Sequence, residues 1–257
     1  GRWFFDDSYG WVWVPGTVWA PAWVAWRYGD DYVGWAPLPP TAGWDVSVGL
    51  TFGDASAIRP HEWCFVPRTH VLDVNLRVQV IVVARNVTLF GRSRDATRFE
   101  VRNGRPANVG LDVAQVESFV GRRVRPVKII DVDRPGRGGG QPVGRGGVGF
   151  FRPAVRPMPA EQAPPPAAAE RRNAIPDQVL QRLRDQQQRK LESDLNAEQT
   201  RLAHDQENEL RKQAPGPGAD EIRKQHAAEQ QAFEAHAAQQ RQVLAQRIQK
   251  QIVNPGK

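Results

Sequence analysis

The sequence predicts an α+β fold: a small Trp-rich antiparallel β region plus a mixed α/β segment, a disordered Pro/Gly/Arg linker, and a C-terminal long antiparallel helical hairpin. Three observations carry that prediction. Eight of the nine tryptophans fall within residues 1–45, spaced as short strands. Pro, Gly, Ala and Arg dominate residues 134–173, where large apolar side chains are few. From residue 177 onward Gln, Glu, Arg and Ala surround apolar residues that recur every eleven positions. The expected units are therefore 1–60 (Trp-rich β), 61–133 (mixed α+β, packed with it), 134–173 (linker) and 174–257 (helical hairpin or coiled coil).

Trp11 and Trp13 alternate with Val12 and Val14, a period of two that puts both indoles on one strand face. Pro15-Gly16 ends that strand, because Pro donates no ladder hydrogen bond. The stretch from Trp19 to Trp26 runs to the turn signal Gly29-Asp30-Asp31. Tyr32 to Trp35 restarts the strand pattern, and Pro37, Pro39 and Pro40 stop it. Farther on, Val74, Leu76, Val78, Val80 and Val82 alternate with polar residues and predict a strand buried at its end, with a helix as second choice. Arg98 to Val101 reads as a strand entering a turn at Asn103-Gly104. Asp112 is placed to cap a helix over Val113 to Val120, closed by Gly121. Val124 to Val132 follows as a strand with Val127, Ile129 and Ile130 available for burial. Residues 134–173 cannot bury enough surface to offset chain entropy, which is why they are expected to be disordered.

In the C-terminal region, Leu180, Leu191 and Leu202 form one stripe and Ile222, Phe233 and Leu244 another, on either side of Pro215-Gly216-Pro217-Gly218. An eleven-residue period is close to three helical turns, so each stripe stays nearly straight. Leu183, Leu195, Leu210, Ile248 and Ile252 widen it. Two segments of about 35 residues make helices roughly 50 Å long. Their seam is thin, so the hairpin is expected to gain stability by docking on a second copy or a protein partner.

The net charge of +7 is unevenly spread, with three basic against six acidic residues in 1–60, but thirteen against eight in 61–134 and six against two in 135–173. An Arg-rich middle could meet nucleic acid, anionic lipid headgroups or an acidic polymer, or could simply be solvated. The longest apolar run, Val78 to Ala84, is interrupted by Gln79 and far short of a membrane span. A single cysteine, Cys64, excludes an intramolecular disulfide. The chain opens on Gly1 with no charged and apolar leader pattern, so no targeting signal is read within it.

No motif names a substrate or a reaction, and no catalytic residue, metal or cofactor is assigned. Gly144-Arg145-Gly146-Gly147-Val148-Gly149 spells a dinucleotide fingerprint but follows no expected strand and opens no helix. Arg137-Gly138-Gly139 and Arg145-Gly146-Gly147 are two RGG units, few for an RNA-binding tail. His61, Cys64 and His70 lack zinc spacing and a fourth ligand. Asp6-Asp7 and Asp30-Asp31 sit in turns beside tryptophans, where paired carboxylates could serve sugar chemistry but Asp is also an ordinary turn residue. Trp11, Trp13, Trp19, Trp23, Trp26 and Trp35 admit two readings: the core of a small β domain, which is expected, or an exposed ligand platform.

Tyr9-Gly10-Trp11-Val12-Trp13-Val14-Pro15-Gly16, Trp19-Ala20-Pro21-Ala22-Trp23-Val24-Ala25-Trp26-Arg27 and Tyr32-Val33-Gly34-Trp35-Ala36-Pro37 together resemble a family of Trp-rich exported bacterial proteins catalogued as a domain of unknown function and often found beside FecR-type domains. The resemblance implies an extracytoplasmic location (periplasm or cell surface) and supplies no activity and no site residues. The expected function is a non-enzymatic structural or interaction module of the cell envelope, partnered through the helical hairpin. The alternative is a carbohydrate-binding or carbohydrate-active module using the Trp/Asp-rich region. Nucleic-acid binding through the Arg-rich middle stands third.

Overall fold

The computed structural model describes residues 1–6, 9–16, 18–20, 22–45, 47–52, 58–102, 104–134, 141–144, 146–151 and 177–253, with side chains left aside at 141, 177, 179, 180 and 250–253. Strands β1 (Arg2–Asp6) and β2 (Gly10–Val14) pair antiparallel, Trp3 opposite Trp13 and Phe5 opposite Trp11. β3 (Val24–Tyr28) and β4 (Tyr32–Pro37) pair across the Gly29–Asp31 turn, Trp26 opposite Trp35. A small ribbon follows, β5 (Gly43–Asp45) with β6 (Gly49–Thr51). Next come β7 (Cys64–Pro67), α1 (Asn86–Gly91) and β8 (Arg94–Asp95). β7, β4, β3 and β8 lie in that order in one antiparallel sheet, so residues from both sides of position 60 build it together.

This sheet is buried on both faces. On one, Ala25, Ala36 and Phe65 pack with Leu38, Trp63 and Leu89. A Cβ on Gly34 would sit 2.3 Å from the Phe65 ring, so glycine is what lets that ring lie on the sheet. On the other face Val33 and Val66 meet Phe119. Asn86, 1 % exposed, donates to the carbonyls of Pro60 (2.8 Å) and Trp63 (2.7 Å) and ties α1 to the segment entering β7.

β9 (Phe99–Arg102) and β10 (Arg105–Asn108) form a ribbon turned by Gly104 at φ 69°, as the sequence predicts for that turn; Asn103 lies outside the described residues. α2 (Val113–Val120) matches its expected bounds: Asp112 accepts from the Gln115 amide at 2.7 Å and Gly121 closes the helix in the left-handed region. The strand expected from Val74 to Val82 does not form. Residues 76–79 and 83–85 are 3-10 turns; the Ile81 amide donates to the Phe65 carbonyl at the sheet edge at 2.9 Å, and Val80 packs against the Val33–Val66–Phe119 cluster. The alternation there has no neighbouring strand to pair with. Val74 stands fully exposed, while Val82 is buried as expected for the end of the run.

β11 (Lys128–Val132) pairs parallel with β13 (Gly147–Phe151), which pairs antiparallel with β12 (Gln141–Val143). Two corrections follow. Within the expected linker, 141–143 and 147–151 are strands, because backbone pairing and the Phe150–Trp19 contact (5.8 Å) supply what composition alone does not. Apart from 134, 144 and 146, the rest of 134–173 lies outside the described residues. Val127, Ile129 and Ile130, expected to be available for burial, are exposed.

α3 (Asp177–Arg211) and α4 (Pro217–Val253) form the expected antiparallel hairpin, turned at Gly216 with φ 146°. Arg241 donates to both carboxylate oxygens of Glu192 at 2.8 Å near one end, and His226 meets Glu209 at 3.2 Å near the other. Leu202 and Phe233 are buried, Leu191, Ile222 and Leu244 are half-buried, and Leu183 is exposed. The Leu180 and Ile252 side chains lie outside the described residues. The surface on which the hairpin docks belongs to the chain itself: Val82 and Ala84 pack with Leu195, Leu202, Phe233 and Ala237. Among the described residues no helix is long and apolar enough to cross a membrane.

A candidate tryptophan groove

The β1–β2 ribbon meets the sheet at one end. Its period-two register puts Trp3, Phe5, Trp11 and Trp13 on one face. Phe5 alone is buried, in edge contact with Trp11 (5.5 Å) and His61 (5.3 Å). Trp3, Trp11 and Trp13 remain 49 %, 41 % and 51 % exposed. Trp3 and Trp11 face Trp35 and Pro37 of β4, Cys64 of β7 and Glu62, and these six residues line a groove of about 340 Å³. That volume lies at the lower end of the ~300–1,000 Å³ range of small-molecule clefts.

Three arginines fix the ribbon by its backbone and leave the indoles free. Arg2 donates to the carbonyls of Pro39 (3.1 Å) and Ala42 and lies over the Trp23 ring at 4.0 Å. Arg59 donates to the Phe5 carbonyl at 3.2 Å and to Glu62 Oε1 at 2.7 Å. Arg247 of α4 donates to the Tyr9 carbonyl at the ribbon tip. A Cβ on Gly10, whose φ is 70°, would come within 2.7 Å of that guanidinium. Glu62 is thus oriented by Arg59 through one oxygen, and its Oε2 has no hydrogen-bond partner among the described residues. Burial pushes the Cys64 thiol up to about 11, so it enters the groove wall as a protonated, weakly polar group and not as a nucleophile.

The six tryptophans singled out from sequence divide. Trp11 and Trp35 line the groove and Trp13 extends the exposed face beside it. Trp23 stacks on Phe99 (5.5 Å, 18°), Trp26 packs on Trp35 (6.0 Å), and Trp19 meets Phe150. These three are half-buried packing residues. Trp63, 2 % exposed, is the tryptophan most deeply placed in the core. Trp3 and Glu62 are not among the residues the sequence singles out, and Cys64 is weighed there only as a thiol and a metal ligand. The signal for Trp3 was available, since a turn after Asp6 places it opposite Trp13. Glu62 and Cys64 arrive only through the pairing of Cys64 with Trp35 across the sheet.

The remaining motifs separate in space. Asp6 accepts from the Tyr9 amide at 2.8 Å, a turn contact, while Asp7 lies outside the described residues. Asp30 is exposed, 3.7 Å from Arg94. His61 packs on Phe5 and His70 bonds Asp73 at 2.8 Å; no metal-holding group of three or more His, Cys, Asp or Glu occurs among the described residues. Gly144 and Gly146 form a turn between antiparallel strands, not a strand-to-helix cradle, and Arg145 lies outside the described residues. A second cleft, about 890 Å³, runs between residues 78–85 and the α3–α4 hairpin, and within it Arg85 pairs with Glu209 at 2.8 Å.

Fold and groove together define an α+β sheet module that carries a surface tryptophan groove on one side and a docked helical hairpin on another. Residues 1–42 match the model of a family of unknown function, DUF6600. That match spans β1 to β4 and therefore contains Trp3, Trp11 and Trp35, whereas Glu62 and Cys64 lie beyond it. No curated protein and no solved structure matches the chain.

Proposed function

We propose that the protein is a non-enzymatic binding module of the bacterial cell envelope that holds a carbohydrate chain along the β1–β2 ribbon. The observation that carries this reading is the exposure of Trp3, Trp11 and Trp13 on one strand face beside the carboxylate of Glu62. Indole faces stack on the C–H faces of sugar rings, and an oriented carboxylate accepts hydroxyl hydrogens. Glycoside hydrolysis commonly employs two carboxyl groups flanking the bond. Among the described residues the groove lining carries one, Glu62, which favours binding over cleavage. The extracytoplasmic setting follows the sequence resemblance. The test is tryptophan fluorescence during titration with soluble glucans, chitin oligomers and peptidoglycan fragments. Saturable quenching by one of them, lost in Trp11→Ala with the melting curve unchanged, supports the reading; no response to any of the three overturns it.

A protein partner along the helical hairpin is a second reading, favoured by the exposed Leu183 on the mostly exposed first turns of α3. Loss of a co-purifying protein in Leu183→Asp would support it.

A further inference from the structure

The segment between α2 and β11 is unlike the rest of the surface. Gly121 turns the chain out of α2, and from residue 121 to 131 every residue but Val124 is exposed. Arg122, Arg123, Arg125 and Lys128 fall within seven positions. Arg123 reaches Glu117 at 3.3 Å with its side chain 94 % exposed, and Arg122, Arg125 and Lys128 have no ion pair among the described residues. The acid on β11 itself, Asp131, is bridged by Arg105 at 3.0 Å, so it does little to offset the local positive charge. Solvated basic surfaces do not need large aliphatic side chains between the charges, yet here Val127 is 56 % exposed and Ile129 and Ile130 are exposed beside it. Strand pairing sets Val132 against Phe151, so Lys128, Ile130 and the exposed Phe151 share one face of the three-stranded sheet. Ile130 lies across Gly147, where a Cβ would meet its Cδ1 at 2.6 Å.

We propose that residues 121–132, with Phe151, form a contact surface for an anionic lipid bilayer. The cations meet headgroup phosphates, each adding roughly 1 kcal/mol near such a surface. Ile130 and Phe151, which share one sheet face, enter the headgroup–acyl boundary, the depth at which a superficial apolar face is accommodated. Single-stranded nucleic acid would meet the same cations but stacks on successive aromatic rings, and Phe151 is the one ring among the described residues of this patch. The surface is built from elements other than the tryptophan groove, and the two are separable by mutation.

The experiment uses the full chain with vesicles of phosphatidylcholine alone and of about three parts phosphatidylcholine to one part phosphatidylglycerol. The chain should sediment with the mixed vesicles and not with the neutral ones. The triple variant R122Q/R123Q/R125Q should lower partitioning about a hundredfold, and I130S/F151S about tenfold with all charges kept. Both should retain the parent melting curve, since the replaced side chains are exposed. W3A/W13A should partition as the parent does. Failure of the parent chain to bind mixed vesicles overturns the proposal. So does displacement from them by duplex DNA combined with no effect of I130S/F151S, which would assign the patch to nucleic acid. Loss of binding in W3A/W13A alone would move the membrane contact to the β1–β2 ribbon and overturn it too.

Discussion

Two hairpins lie against the same sheet module, and they use their large side chains in opposite ways. The β1–β2 ribbon is anchored through its carbonyls, by Arg2, Arg59 and Arg247, and displays three indoles. The α3–α4 hairpin is anchored through its side chains: Leu195, Leu202, Phe233 and Ala237 pack on Val82 and Ala84. At the centre of that interface Glu229, 1 % exposed, accepts from Thr88 (3.0 Å), Gln206 (3.0 Å) and Arg85 (3.4 Å). Nearby, Glu198 accepts from the Val83 amide at 3.0 Å. The contrast shows what residue size alone does not reveal. Tryptophan is spent on display where guanidinium groups can hold the backbone, and smaller apolar residues form the interface where two helices must be positioned.

If that contrast is right, the largest stability effect belongs to the helical hairpin. Phe233→Ala should cost about 3–5 kcal/mol in urea unfolding, the range for emptying a buried aromatic site. A cost below ~1 kcal/mol would mean the hairpin is not docked. Glu229→Ala comes next, at about 2–3 kcal/mol, because it strands three buried or half-buried donors. Glu229→Gln should recover part of that loss.

Acidification gives a smaller effect of known sign. Burial holds the His236 imidazole below its ordinary 6.5, against the opposing pull of Glu198. Its stabilising contribution is complete above 6.5 and is lost as pH falls from there through the lower folded value. Burial pulls the Glu209 carboxyl up, but the His226 hydrogen bond and the Arg85 charge outweigh it and hold the group below its ordinary 4.5. Its contribution is complete above 4.5 and disappears at still lower pH. The melting temperature should therefore fall in two stages on acidification, and His236→Gln should remove the first. A melting temperature that rises between pH 7 and 5 would contradict this. The smallest effect belongs to the ribbon: Trp3→Ala and Trp13→Ala should each change stability by no more than ~0.5 kcal/mol while glycan-induced quenching is lost.

Elements defined by local chemistry were legible before the structure. The cap at Asp112, the left-handed Gly121, the strands around Gly29–Asp31 and the break at Pro215–Gly218 all rest on residues within a few positions of one another. What was not legible depended on distant neighbours. Val74, Leu76 and Val78 have strand periodicity but no partner strand, so Val74 and Val78 stay exposed and residues 76–79 form a 3-10 turn. Gly147–Phe151 has linker composition yet finds β11. The groove follows the same rule, since residues 3, 11, 35, 62 and 64 converge only once β1–β2 and β4–β7 have found their registers.

The contact between Arg247 and Tyr9 joins residues 238 positions apart. During synthesis the β1–β2 ribbon is made before the helix that clamps its tip. At roughly 5–20 residues per second, that interval lasts about 10–50 s. For that time the indoles sit on a ribbon that lacks the Arg247 contact at its tip, so an early element waits for a late one to complete it.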